Sequence, residues 1–148
     1  MKKIVYIFMT LTLLFITGCG NKKIDFSILE NNIKNNDNFK DTEVLSLDDI
    51  NYRYDIDTKD FGNSLIYYSN SLENANTIFV IETLSNDGDK EYDKLVASYK
   101  ASWLDNPYNL EEAAKVKNAY NETYNGYKIF IVSDNNEGVL KIVKESLK

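Results

Sequence analysis

The spacing of apolar residues along the chain predicts four amphipathic helices. In the clearest of them, five apolar or aromatic residues recur at intervals of three, four and seven, which places them on one helical face. They are Tyr92, Leu95, Val96, Tyr99 and Trp103. Asp87 or Asp89 can cap this helix, and it ends before Pro107 because the preceding residue avoids helical geometry. The same period predicts three further helices, in residues 24–36, 46–54 and 134–147.

Helix starts are also marked by capping patterns, in which a small polar residue is followed three positions later by an acid. Ser46 with Asp49 marks the start of the second helix, and Asp134 with Glu137 marks the start of the last one. The same pattern predicts a single helical turn in residues 109–115.

Four short runs rich in β-branched and aromatic residues predict two hairpins. Residues 64–69 and 77–84 form the first, and residues 119–124 and 127–132 form the second. The second pair flanks Asn125-Gly126, the preferred dipeptide of a type I′ turn. The resulting order, α-α-β-β-α-β-β-α, predicts an α+β domain with a four-stranded antiparallel sheet covered by helices on one face. A parallel sheet would need strands that alternate singly with helices.

The most apolar stretch of the chain lies at its beginning. Lys2 and Lys3 precede a nearly unbroken apolar run over residues 4–16, which is short for a membrane span and typical of a secretory signal. Ile16-Thr17-Gly18-Cys19 follows, an aliphatic residue, two small residues and a cysteine. This ending resembles the lipobox of bacterial lipoproteins.

The lipobox resemblance implies cleavage before Cys19 and a diacylglyceryl thioether on its sulfur. Cys19 is the only cysteine, so no disulfide framework is possible, and an ordinary secretory signal with a chance cysteine is the less favoured alternative. We therefore expect residues 1–18 to be a cleaved signal peptide, residues 19–23 a lipidated tether and residues 24–148 a single α+β domain. The expected location is the extracytoplasmic face of the cell membrane.

The charge balance narrows the class of partner. Of the 17 basic and 23 acidic residues, only two basic ones fall in the signal, which leaves 15 basic against 23 acidic residues and a net charge of −8. A surface this acidic argues against nucleic acid and other polyanions. We expect the protein to meet the membrane only through the lipid on Cys19.

Residue types that carry common chemistry are scarce. The chain has no histidine, and its only cysteine is the predicted lipidation site, so the usual general base, zinc ligand and thiol nucleophile are missing. No glycine-rich phosphate loop occurs, and we expect neither a cofactor nor a bound metal. Asp55, Asp57 and Asp60 could surround a cation, although a solvated turn is the favoured interpretation. Glu82, within an apolar strand, is the acid whose position best suits a catalytic carboxylate, although a place on the open face or at the edge of the sheet is the favoured interpretation.

Tyrosine is unusually frequent, with eleven in the chain and ten after the signal. Five tyrosines fall on predicted strands: Tyr67, Tyr68, Tyr120, Tyr124 and Tyr127. If one face of the sheet is uncovered, several of these rings would line it and could bind a peptide or a glycan. The favoured alternative is that the rings fill the core between sheet and helices.

Three short motifs resemble those of a family of small uncharacterised lipoproteins of low-GC Gram-positive bacteria. They are Tyr54-Asp55-Ile56-Asp57, the Ile78–Ile81 strand, and Gly126-Tyr127 followed by the run at residues 129–134. The resemblance spans residues 47–144 and implies an anchored extracytoplasmic domain. The family has no established activity, so it implies no catalytic residue.

These observations favour a non-catalytic, lipid-anchored domain that binds an envelope protein, peptide or glycan. The alternative is a small cell-envelope hydrolase that uses two carboxylates, since 23 acids offer many possible pairs. A third possibility is an accessory subunit of a larger assembly.

Overall fold

The computed structural model of the protein describes residues 22–105 and 107–148. The predicted signal peptide, the lipidation site at Cys19 and the first residues of the tether lie outside the described residues, and they remain predictions. Within the described ranges, no helix is both long enough and apolar enough to cross a bilayer.

Five helices and five strands make up the described part of the chain. The helices are α1 (Phe26–Lys34), α2 (Leu47–Tyr54), α3 (Asn86–Leu104), α4 (Leu110–Lys117) and α5 (Asn136–Glu145). The strands are β1 (Glu43–Val44), β2 (Phe61–Tyr68), β3 (Thr77–Thr83), β4 (Tyr120–Tyr124) and β5 (Tyr127–Val132). Short 3-10 turns occupy Asp37–Phe39 and Thr58–Asp60.

The strands form one antiparallel sheet in the order β1-β2-β3-β5-β4. β3 and β5 lie at its centre, with Phe79 opposite Phe130, because these strands are the most continuously apolar. Both predicted hairpins are confirmed. Asn125 and Gly126 have φ values of 51° and 83°, the positive values that a type I′ turn requires.

The α+β class is confirmed, but two details of the predicted sheet are wrong. There are five strands rather than four, since Glu43 and Val44 pair with Tyr68 and Tyr67 at one edge. Helices also cover both faces rather than one. The physical reason lies in the central strands, where every residue from Ile78 to Ile81 is buried, so both faces of β3 need apolar cover.

Each face of the sheet has its own hydrophobic core. One core joins the sheet to α1 and α5, and its members include Leu29, Ile33, Tyr67, Ile78, Val80, Ile129, Ile131, Val139 and Val143. The other joins the sheet to α2, α3 and α4, and its members include Ile50, Ile66, Phe79, Ile81, Leu95, Tyr99, Trp103, Val116 and Phe130. The described part of the chain therefore has three layers, with the sheet in the middle.

The helix caps confirm two predicted starts and shift two others. Helix α4 is capped by Asn109, as predicted, but its eight residues exceed the predicted single turn. At α2 the Asp49 amide donates to Ser46 Oγ (3.2 Å) and the Ser46 amide donates to Asp49 Oδ2 (2.9 Å), the predicted reciprocal cap. Helix α3 is capped by Ser85 rather than by Asp87 or Asp89. Helix α5 is capped by Asn135, one residue after the predicted Asp134.

The two ends of the sheet differ in what lies against them. We call the end at Phe61, Thr83 and Tyr127 the tether end, because residues 22–25 are fixed there. Ile24 pairs with Leu147 in an isolated β-bridge. The Asp25 amide donates to the Ser146 carbonyl at 2.7 Å.

We call the opposite end, at Tyr68, Thr77 and Val132, the far end. Strand β2 runs from one end to the other, and its seven residue steps of roughly 3.3 Å separate the two ends by about 23 Å. Helix α3 runs in the same sense, from Asn86 beside β3's last residue to Leu104 at the far end.

Candidate binding groove

A groove of about 150 Å³ opens at the far end of the sheet. It is lined by Tyr68, Ser69, Asn70, Ser71, Leu72, Ser102, Trp103 and Tyr108. We call it the Trp103 groove. It combines the end of β2, the loop after β2, the last turn of α3 and the connection that follows α3.

The apolar surface of the Trp103 groove comes from three side chains that differ in exposure. Trp103 is only 8% exposed and belongs to the core beneath the groove. Leu72 and Tyr108 are 65% and 74% exposed. A buried aromatic base with two exposed apolar walls is unusual in a connecting region, where large apolar side chains normally lose contact with water.

The base of the groove is held by aromatic packing. The Tyr68 ring lies edge-on to the Tyr99 ring, with centroids 6.0 Å apart, and the Arg53 guanidinium lies 5.3 Å from the Tyr68 centroid. The Tyr99 hydroxyl donates to the Ala75 carbonyl at 2.6 Å, which ties the loop after β2 to α3. Burial raises the pKa of Tyr99 far above its ordinary value, so this hydroxyl keeps the proton that it donates.

A buried carboxylate holds the same loop from the other side. The Ala75 amide donates to Glu112 Oε2 at 2.7 Å, and Glu112 Oε1 lies 2.7 Å from Lys115 Nζ. Lys115 Nζ also lies 3.0 Å from Asp134 Oδ1. Burial alone would lower the pKa of Lys115, but its hydrogen bonds to Glu112 and Asp134 more than offset this effect and raise it. The network joins α4, the β2–β3 loop and the start of α5 around the groove.

The polar side chains that line the groove already have partners inside the protein. Asn70 Oδ1 accepts from Arg53 Nη1 at 2.7 Å, and the Asn70 amide donates to the Glu43 carboxylate. Ser102 Oγ donates to the Tyr99 carbonyl at 2.7 Å. The remaining two, Ser69 and Ser71, accept from the backbone amides two residues further on. The groove therefore offers the apolar surfaces of Leu72, Trp103 and Tyr108 together with the exposed hydroxyl of Tyr108.

The structure does not bring the five candidate tyrosines together on an open face. Tyr67 and Tyr127 are buried in the core beneath α1 and α5, and Tyr120 and Tyr124 pack against that same core. Only Tyr68 lies on the other face and lines the Trp103 groove. The alternative that the rings fill the core describes Tyr67 and Tyr127, whereas Tyr120 and Tyr124 are partly buried at the edge of the same core.

Glu82 lies at the tether end and not at the Trp103 groove. Its Oε2 accepts from the Asn63 amide at 3.2 Å and from Asn63 Nδ2 at 2.8 Å, beside an irregularity in β2. A separate groove of about 160 Å³ there is lined by Glu82, residues 125–127 and the two lysines at positions 22 and 23. Glu82 is its only carboxylate.

A third groove, of about 380 Å³, lies beside α1 and has Glu30 as its only carboxylate. Hydrolysis of a glycosidic bond needs two carboxylates that face one another across the substrate. The Trp103 groove is lined by none, and the other two grooves have one each. None of the three therefore supports the two-carboxylate mechanism.

The three aspartates considered as a cation site have separate local roles. Asp55 ends α2 with a φ of 53°, and Asp57 caps the following 3-10 turn and pairs with Lys59 Nζ at 2.7 Å. The Asp60 carbonyl accepts from the Leu84 amide at 2.9 Å. Across residues 22–105 and 107–148, no group of three or more acids is arranged to hold a metal ion.

The helical period predicts Trp103 on the buried face of a helix, and no sequence pattern predicts a binding role for Leu72 or Tyr108. The signal that could have identified them is their position: both are large apolar residues within loop segments rich in serine, asparagine and proline. Such residues have no predicted helix or strand face to bury them, which marks them as candidates for an exposed apolar surface.

Comparison with protein-family models, with curated proteins and with solved structures finds no match to this chain.

Proposed function

We propose that the protein is a non-catalytic, lipid-anchored domain of the bacterial cell envelope that binds a segment of another protein in the Trp103 groove. The observation that carries this proposal is the placement of an exposed apolar groove at the far end of the sheet, opposite the residues that follow the tether. With a lipid on Cys19 at the extracytoplasmic face of the membrane, the groove points away from the bilayer.

The volume of the groove supports a protein partner over a small molecule. Sites for cofactors and drug-sized ligands usually enclose roughly 300–1,000 Å³. A cavity of about 150 Å³ holds one benzene-sized group. The groove, at about 150 Å³, thus suits a single apolar side chain presented by a larger partner.

The hydrogen bonds of the groove also favour a protein segment over a glycan. A sugar is recognised by directed polar groups that replace its water contacts, as well as by an aromatic surface. The Asn70 amide and the Ser102 hydroxyl are already engaged within the protein. An apolar side chain needs no such groups and gains from contact with Leu72, Trp103 and Tyr108.

Photo-crosslinking in intact cells tests this proposal. A photoreactive phenylalanine derivative replaces Leu72 in the full-length protein, and the matched control carries it at Tyr52, which is 91% exposed on α2. We expect a discrete adduct from position 72 that is absent from position 52 and is lost when Tyr108→Ala is added. No adduct from position 72, or the same adducts from both positions, would overturn the proposed site.

A further inference from the structure

We propose that the Trp103 groove selects a basic segment of its partner, in which one apolar side chain is flanked by lysine or arginine. This inference rests on the proposed function, because it names the chemistry of the partner for the same groove.

The charge around the groove carries the inference. Three exposed leucines lie in or beside the groove-forming segments, and each is followed directly by an exposed acid. The pairs are Leu72-Glu73, Leu104-Asp105 and Leu110-Glu111. Within the described ranges, Glu73, Asp105 and Glu111 form no ion pair. The region thus presents apolar contacts together with uncompensated negative charge.

The cations nearest to the groove are already engaged. Arg53 pairs with Glu43 at 3.0 Å and lies over the Tyr68 ring. Lys115 is held by Glu112 and Asp134. Lys100, one turn before Leu104, lies 5.8 Å from the Phe130 centroid. Within the described ranges, none of these cations forms an ion pair with Glu73, Asp105 or Glu111, so a basic partner would compensate these three acids.

One of the three acids is unfavourably placed in the free protein. Asp105 is the C-cap of α3, and no basic residue occupies the last turn of that helix. The C-terminus of a helix carries partial negative charge, so an acid there is repelled. A cation that a partner places beside Asp105 would relieve this repulsion.

The same charges argue against a membrane as the occupant. Leucine and tyrosine could insert between lipids, but bacterial membranes expose anionic headgroups that repel Glu73, Asp105 and Glu111. The groove also lies at the end of the sheet opposite the tether. A basic protein segment satisfies both the apolar and the acidic features.

The chain contains a single tryptophan, so its fluorescence reports directly on this groove. The experiment titrates the full-length lipoprotein, in uncharged detergent micelles, with the capped peptide Ala-Lys-Lys-Leu-Lys-Lys-Ala. Two matched peptides carry glutamate in place of each lysine, or alanine in place of leucine. We expect a saturable change in Trp103 emission with the first peptide, and dissociation constants at least about ten-fold weaker with either control.

A charge-reversed protein makes the test specific. Glu73 and Glu111 are exposed, and among the described residues their carboxylates make no hydrogen bond or ion pair. The double substitution Glu73→Lys with Glu111→Lys should therefore leave the fold intact. We expect this variant to prefer the glutamate peptide over the lysine peptide. Binding of the lysine peptide should also weaken as salt is raised from 0.05 to 0.5 M, roughly a three-fold change in Debye length.

Several outcomes would overturn the inference. Equal affinity for the lysine and glutamate peptides, or an unchanged preference in the charge-reversed variant, would contradict basic selection. A stronger emission change with phosphatidylglycerol vesicles than with any peptide would assign the groove to the membrane instead. If no peptide binds while the crosslink from position 72 persists, this inference fails and the proposed function stands. If the crosslink is also absent, both fail.

Discussion

The two ends of the sheet differ in backbone pairing and in the exposure of their apolar side chains. At the tether end, the first and last described residues are joined to each other, and Ile24 also donates a hydrogen bond to the buried Tyr127 hydroxyl at 3.4 Å. At the far end, Leu72 and Tyr108 stay exposed beside Trp103. Among residues 22–105 and 107–148, the acids Glu73, Asp105 and Glu111 form no ion pair. One end is therefore closed by the chain's own backbone, and the other keeps apolar side chains exposed, which is why we propose the partner site there.

The largest expected effect comes from removing the anchor. Cys19→Ser abolishes the acceptor of the lipid, so we expect the mature lipidated form to disappear and an unprocessed precursor of higher mass to accumulate. The measurement is intact mass together with detergent-phase partitioning. Unchanged mass and unchanged partitioning in the variant would contradict lipid anchoring, and with it the assignment of a tether end.

The next effect concerns the network that holds the far end. Glu112→Ala leaves the buried Ala75 amide without its acceptor and removes one of the two carboxylates that hold Lys115 Nζ, which should lower the free energy of unfolding by about 2–3 kcal/mol. Urea denaturation measures this loss, and hydrogen exchange should show faster opening at Ala75 than at Ile24. The matched control is Glu145→Ala at the tether end, whose exposed pair with Lys141 spans 3.7 Å. It should cost less than about 0.5 kcal/mol. Equal losses in the two variants would contradict a specific role for Glu112.

A smaller, pH-dependent effect is expected at the tether end. Asp89 Oδ1 accepts from Thr83 Oγ1 at 2.6 Å and lies 3.2 Å from Lys128 Nζ. The hydrogen bond from Thr83, opposed by burial and assisted by Lys128, lowers the pKa of Asp89 below its usual 3.8. Its contribution to stability is therefore complete above that pH and is lost as the pH falls through the lowered value.

Asp89→Asn removes the pH-dependent contribution of Asp89 to the free energy of unfolding. We expect the variant to be less stable than the parent at pH 7, with a difference that narrows below the usual pKa of 3.8. Urea denaturation at a series of pH values measures the difference. A difference that stays constant down to pH 2 would contradict the assigned titration.

The smallest effect is a gain in stability at the far end. Asp105→Asn removes a negative charge from the C-terminus of α3, so the free energy of unfolding should rise by about 0.3 kcal/mol while the lysine peptide binds more weakly. A stability gain without any loss of binding would show that Asp105 does not face the partner.

Local signals predicted much of this fold. The Asn125-Gly126 turn, the apolar period of α3 and the reciprocal cap of Ser46 with Asp49 are set by residues close together in the sequence. Strand β1 has only two residues and depends on pairing with Tyr67 and Tyr68. No local sequence pattern therefore predicts it. Alternate residues of a strand point to opposite faces, so the continuous apolar runs of β3 and β5 already indicated cover on both faces, and the prediction of one covered face overlooked this signal.

The Trp103 groove, like strand β1, could not be predicted because it depends on contacts between residues far apart in the sequence. Leu72 lies more than thirty residues before Trp103 and Tyr108 in the chain, and it meets them only because Tyr99 and Glu112 hold the β2–β3 loop against α3 and α4. The periodicity of α3 placed Trp103 correctly on its buried face. Nothing in that period indicated that the last turn borders an opening.

The separation of anchor and groove is tested most directly by measuring the depth of each end relative to a bilayer. Since Cys19 is the only natural cysteine, a cysteine introduced at Asn125 or at Leu72 can be spin-labelled in the lipidated protein reconstituted into vesicles. Power saturation with a lipid-soluble and a water-soluble relaxant then reports the position of each label. The account predicts that the label at 125 lies at the headgroups and the label at 72 lies in bulk water. Equal depths, or a deeper label at 72, would contradict it.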